Sequence, residues 1–333
     1  ISLTLTTCTL LDPEANLKSE RELWEEAQGH MDGRRHLPAI TSLEELDLRF
    51  PFGQYADGTQ LDLVYAYFKS SKYELARLTA DRFIRLNPDH PEADYAQYMK
   101  GLSSYASNDS MVSRYLPGDE TGRDIGGARN AIDDFKQLLE EDQDLSIASE
   151  AAFQLGMVFL DMGRLSENQR ISTEKVGSEV EQYFLSAVHV FVGPRSGQTA
   201  FSAIEKELQQ VEKRIRKYRD QRLVTSTDRH ELDRLERSRE KLRGRRLQVQ
   251  LLAAEACSEM AECFEQHSRE WGRSLEDALQ RYHAVYLSAP TRSAGLWARL
   301  EEGRILLALG RIAEGQEVLL EITKLPSSEN LIY

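Results

Sequence analysis

Between Asp62 and Pro88 the chain reads DLVYAYFKSSKYELARLTADRFIRLNP, two short apolar stripes of helical period separated by a polar turn. Leu63 and Tyr67 fall one helical turn apart, Ala76 supplies a small side chain where the second helix crosses the first, and Pro88 stops that second helix. A helical hairpin of this kind has an apolar face it cannot cover alone. It must stack on further copies, in units of about 34 residues, and this restricts the fold to an all-helical solenoid of paired helices. Stacks of that type leave grooves that take up other polypeptides, so binding is the first expectation and catalysis would need its own signature.

Related patterns continue in both directions. Leu10 to Lys18 is a polar tether with Pro13; then Leu23, Trp24 and Ala27 recur at helical spacing. Leu37, Ile40, Leu43, Leu46 and Leu48 form the partner stripe, which ends at Pro51 and Gly53. After Pro91, the residues Tyr95, Tyr98, Met99, Leu102 and Tyr105 share one stripe; 107–124 has loop composition; and Ile132, Phe135, Leu138 and Leu139 point inward from a helix over 128–141. A further first helix over 148–162 carries Leu155-Gly156 and Phe159. The apolar run 183–192 is open to helix or strand, since VHVFVG leans to strand on propensity alone; the helical context favours helix.

Residues 199–266 hold a second pattern. Ile204, Leu208, Val211, Ile215 and Tyr218 are spaced four, three, four, three, a heptad seam. After VTSTD, with Asp228 as an N-cap and Glu231 as its capping-box partner, Leu232, Leu235, Leu242 and Val249 resume the seam, interrupted by Arg239 and Arg246. An antiparallel hairpin with arms of roughly 35 Å follows, either projecting or packed into the solenoid. The repeat spacing returns over 274–290 with Ala278, Tyr282 and Pro290, and a last hairpin carries Trp297, Leu300, Leu306, Leu307, Gly310, Gly315, Leu319 and Pro326.

The charge is uneven. Residues 202–250 hold 15 Lys/Arg against 9 Asp/Glu, a balance of +6, which leaves −19 on the rest of a chain whose formal charge is −13. That acidity argues against general nucleic-acid binding, which needs a basic surface. The basic stretch suits an acidic partner, anionic membrane groups, or a plain solvated spacer. No apolar run approaches the length needed to span a bilayer. Cys257 and Cys263 are six residues apart, roughly 240° around a helix, and read as small core residues rather than a bridge or metal pair. Cys8 closes ISLTLTTC as in a secretory signal ahead of a lipid-modified cysteine, with Thr7 where Gly, Ala or Ser is usual.

The hairpin over 62–88 is of the tetratricopeptide type. Residues 20–143 further resemble one family, the outer-membrane assembly lipoprotein BamD (ComL). The resemblance rests on Phe50-Pro51-Phe52-Gly53 with Tyr55, Leu61 to Lys69, Asp81 to Pro91, Tyr98-Met99 with Gly101-Leu102, and Arg123-Asp124. Gln54, Lys100 and Ile125 depart from the pattern, and nothing beyond about residue 145 matches it except repeat spacing. The resemblance implies a lipid anchor at Cys8, a location on the periplasmic face of the outer membrane, partner subunits of the β-barrel assembly complex, and recognition of unfolded outer-membrane protein segments. The expected organisation is an anchor and tether over 1–18, a BamD-like domain over 19–165, a connector over 166–198, the coiled-coil hairpin over 199–266 and terminal hairpins over 267–333.

Phosphate loops, zincin helices and nucleophile elbows are absent from the sequence, so no catalytic residue, cofactor or metal is expected. For peptide binding, the first helix of the hairpin turns Leu61, Tyr65, Phe68 and Lys69 to the concave side, an aromatic wall with an ammonium to orient acidic or carboxylate groups. Tyr65 and Phe68 could instead pack on the preceding hairpin. Phe50, Phe52 and Tyr55 either wedge the first two hairpins together or touch the ligand. The competing role is a general envelope adaptor that links cell-wall or division proteins.

Overall fold

The computed structural model describes residues 18–107, 126–141, 145–170, 177–193, 199–220 and 226–323. Among them every regular element is a helix, and there are thirteen. In order they are α1 (Glu20–Asp32), α2 (His36–Arg49), α3 (Ala56–Lys69), α4 (Tyr73–Leu86), α5 (Ala93–Ser107), α6 (Gly126–Glu141) and α7 (Leu145–Arg170). There follow α8 (Gly177–Val192), α9 (Ala200–Asp220), α10 (Ser226–Ala261), α11 (Arg269–Ser288), α12 (Ser293–Ala308) and α13 (Ile312–Thr323). The chain divides into two compact units, Ile1–Ser103 and Ser104–Tyr333, so the division falls inside α5.

In the first unit α1 starts at a capping box. The Glu22 amide donates to Ser19 Oγ at 3.3 Å, and the Ser19 amide donates to Glu22 Oε2 at 2.8 Å. Each donor so satisfied is one of the amides that the first helical turn leaves without a partner. Successive helices from α1 to α4 pack as neighbours. Their core joins Ala27 to Ala39, Ile40 and Leu43 and to Leu63, Ala66, Tyr67 and Ala76. Ala76 and Ala80 are fully buried on α4, as close approach of helix axes requires. The α2 stripe is narrower than its sequence implied: Leu37 and Leu48 are 61% and 81% exposed. Two successive turns of α5 then add Ala96 against Leu61 and Phe83, and Met99 against Val64 and Ala80.

The second unit opens on the end of α5, where buried Ser104 donates to buried Asp134 on α6 at 2.9 Å and Tyr105 donates to Asp161 on α7. Helix α7 begins earlier and ends later than the sequence suggested. The 183–192 run is helical, within α8. Its packing explains why: a Cβ at Gly156 would stand 2.4 Å from the Phe191 ring, and one at Gly163 would stand 2.7 Å from Phe184. Two glycines on α7 thus receive two fully buried phenylalanines from α8, in antiparallel register. As a strand, the run would alternate faces and lose that mesh.

Helix α10 begins at Ser226, so Asp228 lies in its first turn rather than at an N-cap, and Glu231 pairs with Arg214 at 2.8 Å instead of closing a capping box. Arg219–Glu236, Glu212–Arg243 and Glu205–Arg246, at 2.6, 3.1 and 2.7 Å, run the partner numbers in opposite senses, which makes α9 and α10 antiparallel. Ile204, Leu208 and Ile215 are buried on one helix and Leu235, Leu242 and Val249 on the other. The pair is not free-standing at its base: α9 packs on α7, and α10 packs on α8 and α11. Arg164 of α7 binds Glu255 and Glu259 of α10 at 2.7 and 2.6 Å. The remaining helices stack in order from α10 to α13. Trp297 and Leu307, expected inside the last hairpin, are 50% and 39% exposed. Cys257 and Cys263 are buried, and the Cys257 thiol, donating to Asp277 at 3.1 Å, is pushed up to about 12 by burial.

Candidate peptide-binding surface

Helix α3 is buried on most of its circumference, because its neighbours α2, α4 and α5 cover it from several sides. What it leaves open is a stripe three and four residues apart, Asp62, Tyr65 and Lys69. The Tyr65 ring is half-buried. His36 meets it edge-on, with ring centres 5.8 Å apart, and Lys69 Nζ sits 5.4 Å from its centre. From α1, Gln28 Nε2 donates to Asp62 Oδ2 at 2.6 Å. From α5, half-buried Tyr95 faces the same cluster: burial, reinforced by the nearby Tyr65, Asp62 and Glu92, pushes its hydroxyl up to about 12. Burial also raises the Asp62 carboxyl above the ordinary aspartate range, against the opposing Gln28 hydrogen bond.

The result is a shallow wall with aromatic faces, one ammonium and two carboxylates. An extended peptide laid on it could stack an aromatic side chain on Tyr65 and direct a carboxylate to Lys69. Asp62 and Tyr95 offer further hydrogen bonds to such a peptide. Among the described residues no group of three or more His, Cys, Asp or Glu is placed to hold a metal ion.

The residues expected to bind peptide fall into different places. Tyr65 and Lys69 lie on the wall. Leu61 does not: it is 6% exposed and packed against Phe83 and Ala96, so its role is corrected to core. Phe68 is half-buried, packed against two cores with its ring 5.5 Å from Tyr73, and it braces the end of α3. Phe50 lies under the Arg49 guanidinium, at 5.1 Å. Phe52 at the turn is 98% exposed. Tyr55 stacks on Trp24 at 5.0 Å and 9°, and its amide donates to Glu20 at 3.1 Å. Gly53 is packed so tightly against that glutamate that a Cβ would meet Oε1 at 2.0 Å. The Phe-Pro-Phe-Gly turn therefore clamps α1 to α3 and leaves Pro51 and Phe52 outward. Cys8 and the 108–125 segment lie outside the described residues.

Sequence reasoning missed Gln28, His36, Asp62 and Tyr95. Asp62 was legible in principle, standing at helical spacing from Tyr65 and Lys69. Gln28 and His36 come from other helices and carried no such signal.

Residues 13–155 match the tetratricopeptide repeat family. Several relatives carry the name outer membrane protein assembly factor BamD. The one from Vibrio cholerae serotype O1 is 40% identical over 119 residues, 36% of this chain and 49% of the relative. The one from Neisseria meningitidis serogroup B is 31% identical over 157 residues, 45% of this chain and 59% of the relative. That from Neisseria gonorrhoeae is 32% identical over 133 residues, 40% and 50% of the two chains. The N-terminal region, to about residue 155, is BamD-like tetratricopeptide sequence. The chain spans about half the length of the curated relatives it matches. The Tyr65 wall lies within the BamD-like region. No helix among the described residues is long and apolar enough to cross a membrane.

Proposed function

We propose that the chain is a non-enzymatic scaffold lipoprotein of the outer-membrane β-barrel assembly machinery, which binds unfolded outer-membrane protein segments and partner subunits. Cys8 is the lipid attachment point and the periplasmic face of the outer membrane its location. The observation that carries this reading is the coincidence of the BamD-like region with an aromatic wall, Tyr65 with Lys69 over its ring and Tyr95 near Tyr65 and Asp62, that is open on the surface of the first unit. The α9–α10 pair acts as an antiparallel coiled-coil arm: its cross-helix ion pairs occupy the positions that flank a heptad seam. With no nucleotide loop in the sequence, binding and release run downhill, by transfer to a tighter site, and affinity for each segment is modest.

Replacing Tyr65 and Lys69 together by Ala tests this. Binding of a C-terminal β-barrel peptide with a terminal aromatic residue should weaken about tenfold or more, the usual scale for an aromatic anchor and its charge partner. Isothermal titration with both proteins gives the answer. An unchanged affinity, or a parent that ignores the peptide, removes the reading. A second reading, a general envelope adaptor, draws on the fact that the family match ends at residue 155 while helices continue to Thr323. It predicts cell-wall or division proteins in place of assembly subunits when the chain is cross-linked in membranes and the captured partners identified.

A further inference from the structure

Charge on the α9–α10 pair is sorted by direction. Besides Glu255 and Glu259, held by Arg164, five glutamates of the pair are engaged by arginine: Glu205 by Arg246, Glu212 by Arg243, Glu231 by Arg214, Glu236 by Arg219, and Glu240 by both Arg243 and Arg292. These glutamates are thus consumed by cross-helix and neighbouring contacts, and the surplus cations stand outward. Lys206, Lys213 and Lys217 are exposed on α9, and Arg234, Arg237 and Lys241 are exposed on α10.

Helical geometry places three of these in one row. The Arg214–Glu231 bridge marks one flank of the pair. Lys217 lies one turn beyond Arg214 towards the hairpin end, Arg234 one turn beyond Glu231 the other way, and Lys241 two turns further along α10. Among the described residues Arg234 reaches back only to Glu231 at 3.9 Å, an acid already held by Arg214, and its side chain is 80% exposed. The row is about 20 Å long, with Lys213 and Arg237 at its outer margin. On the opposite flank Arg219–Glu236 and Glu212–Arg243 balance their charges, Glu240 is held by Arg243 and Arg292, and exposed Asp233 adds a negative charge.

The chemistry of the row identifies its partner. Protein interfaces are depleted of lysine and anchored by aromatic residues. Here lysine supplies two of three positions, while Ile204, Leu208, Val211 and Ile215 are all turned into the buried seam. Arginine, the better residue for fixed bidentate pairing, is used for the cross-helix bridges; lysine, a hydrated point charge, faces out. Lysine-rich, apolar-free surfaces suit a fluid array of phosphates, where each cation contributes without a fitted pocket. We infer that this flank of the α9–α10 pair, with Lys217, Arg234 and Lys241 at its centre, docks on an anionic membrane surface through lipid phosphate headgroups, without insertion.

Vesicle flotation with the full chain tests it. Vesicles containing phosphatidylglycerol are compared with pure phosphatidylcholine, so that any contribution from an N-terminal lipid cancels. The parent should prefer the anionic vesicles and lose that preference as salt is raised. In the variant Lys217→Gln/Arg234→Gln/Lys241→Gln the preference should drop about fivefold for each charge removed, roughly a hundredfold in all. A variant with the same net charge, Arg216→Gln/Arg229→Gln/Arg273→Gln, should keep most of it. Thermal melts of both should match the parent, because all six side chains are exposed. Equal binding by the row variant, an equal loss in the control variant, or no preference for anionic vesicles in the parent each overturns the inference. So does row-dependent binding of polyglutamate by a parent that ignores vesicles, which would assign the row to an acidic protein.

Discussion

Asp62 sits on the candidate wall under strain of a simple electrostatic kind: burial holds its carboxyl above the ordinary range, and only Gln28 offsets this. A carboxyl with a raised folded-state value keeps its proton in the native protein after the unfolded chain has lost it. Native stability therefore falls as pH rises from about 4, the unfolded aspartate value, through the raised folded value, and is flat above it. Asp62→Asn, which keeps an acceptor for Gln28, should flatten that decline. Thermal melts across the acidic range should show the variant gaining on the parent as pH rises, with the difference complete by neutrality. A gain that is the same at every pH would mean that burial of the charge is not the cause. Backbone strain is visible at Ser71 and Arg34, which adopt φ of 58° and 54° two residues past the ends of α3 and α1. The equivalent place after α12 holds Gly310, at φ 78°. Ser71→Gly should stabilise by about 0.5 kcal/mol, the left-handed penalty less the added freedom of the unfolded chain; the urea midpoint measures it. At this scale the sequence was a fair guide to type and a poor one to role. Leu61 and Tyr65 both stand on the same amphipathic helix, and only the arrival of Phe83 and Ala96 sends Leu61 to the core.

Among whole elements, the α7–α8 contact shows how side-chain volume sets helix spacing. Gly156 and Gly163 admit Phe191 and Phe184, so any Cβ there must displace an aromatic ring. Gly156→Ala gains helix propensity of about 1 kcal/mol and meets an overpacking penalty of about 1–3 kcal/mol. The expected net is a loss of about 1 kcal/mol, and shortening the opposing ring by Phe191→Leu should recover part of it. A double-mutant cycle in urea reads the coupling; purely additive effects would show that the two residues do not mesh. The heptad was legible over 204–215, where Ile204, Leu208, Val211 and Ile215 are buried as their spacing implied; Tyr218 at its end is only half-buried. The start of α10 was not, because Glu231 has both a local role available to it and a distant arginine, and the distant one takes it. The helical state of 177–192 likewise depended on the two glycines of another helix.

Over the molecule as a whole, two units each have their own core, divided within α5. Trp24 lies in the first, stacked on Tyr55, and Trp271 in the second, 8% exposed. Chains retaining only one of these tryptophans, the others replaced by Phe, should unfold in urea with different fluorescence midpoints, since separate cores need not melt together. Coincident curves would show one cooperative unit instead. What the sequence determined by itself was the helical state and the repeat spacing, because apolar periodicity and turn residues act over a few neighbours. It also marked the region of BamD-like character. Which side of each helix stays open, and which charge meets which, was decided only in three dimensions. Arg164 and Glu259 are 95 residues apart, and Gln28 reaches Asp62 across 34. Such pairings depend on how stacked helices bring distant surfaces together, and local periodicity carries no information about that.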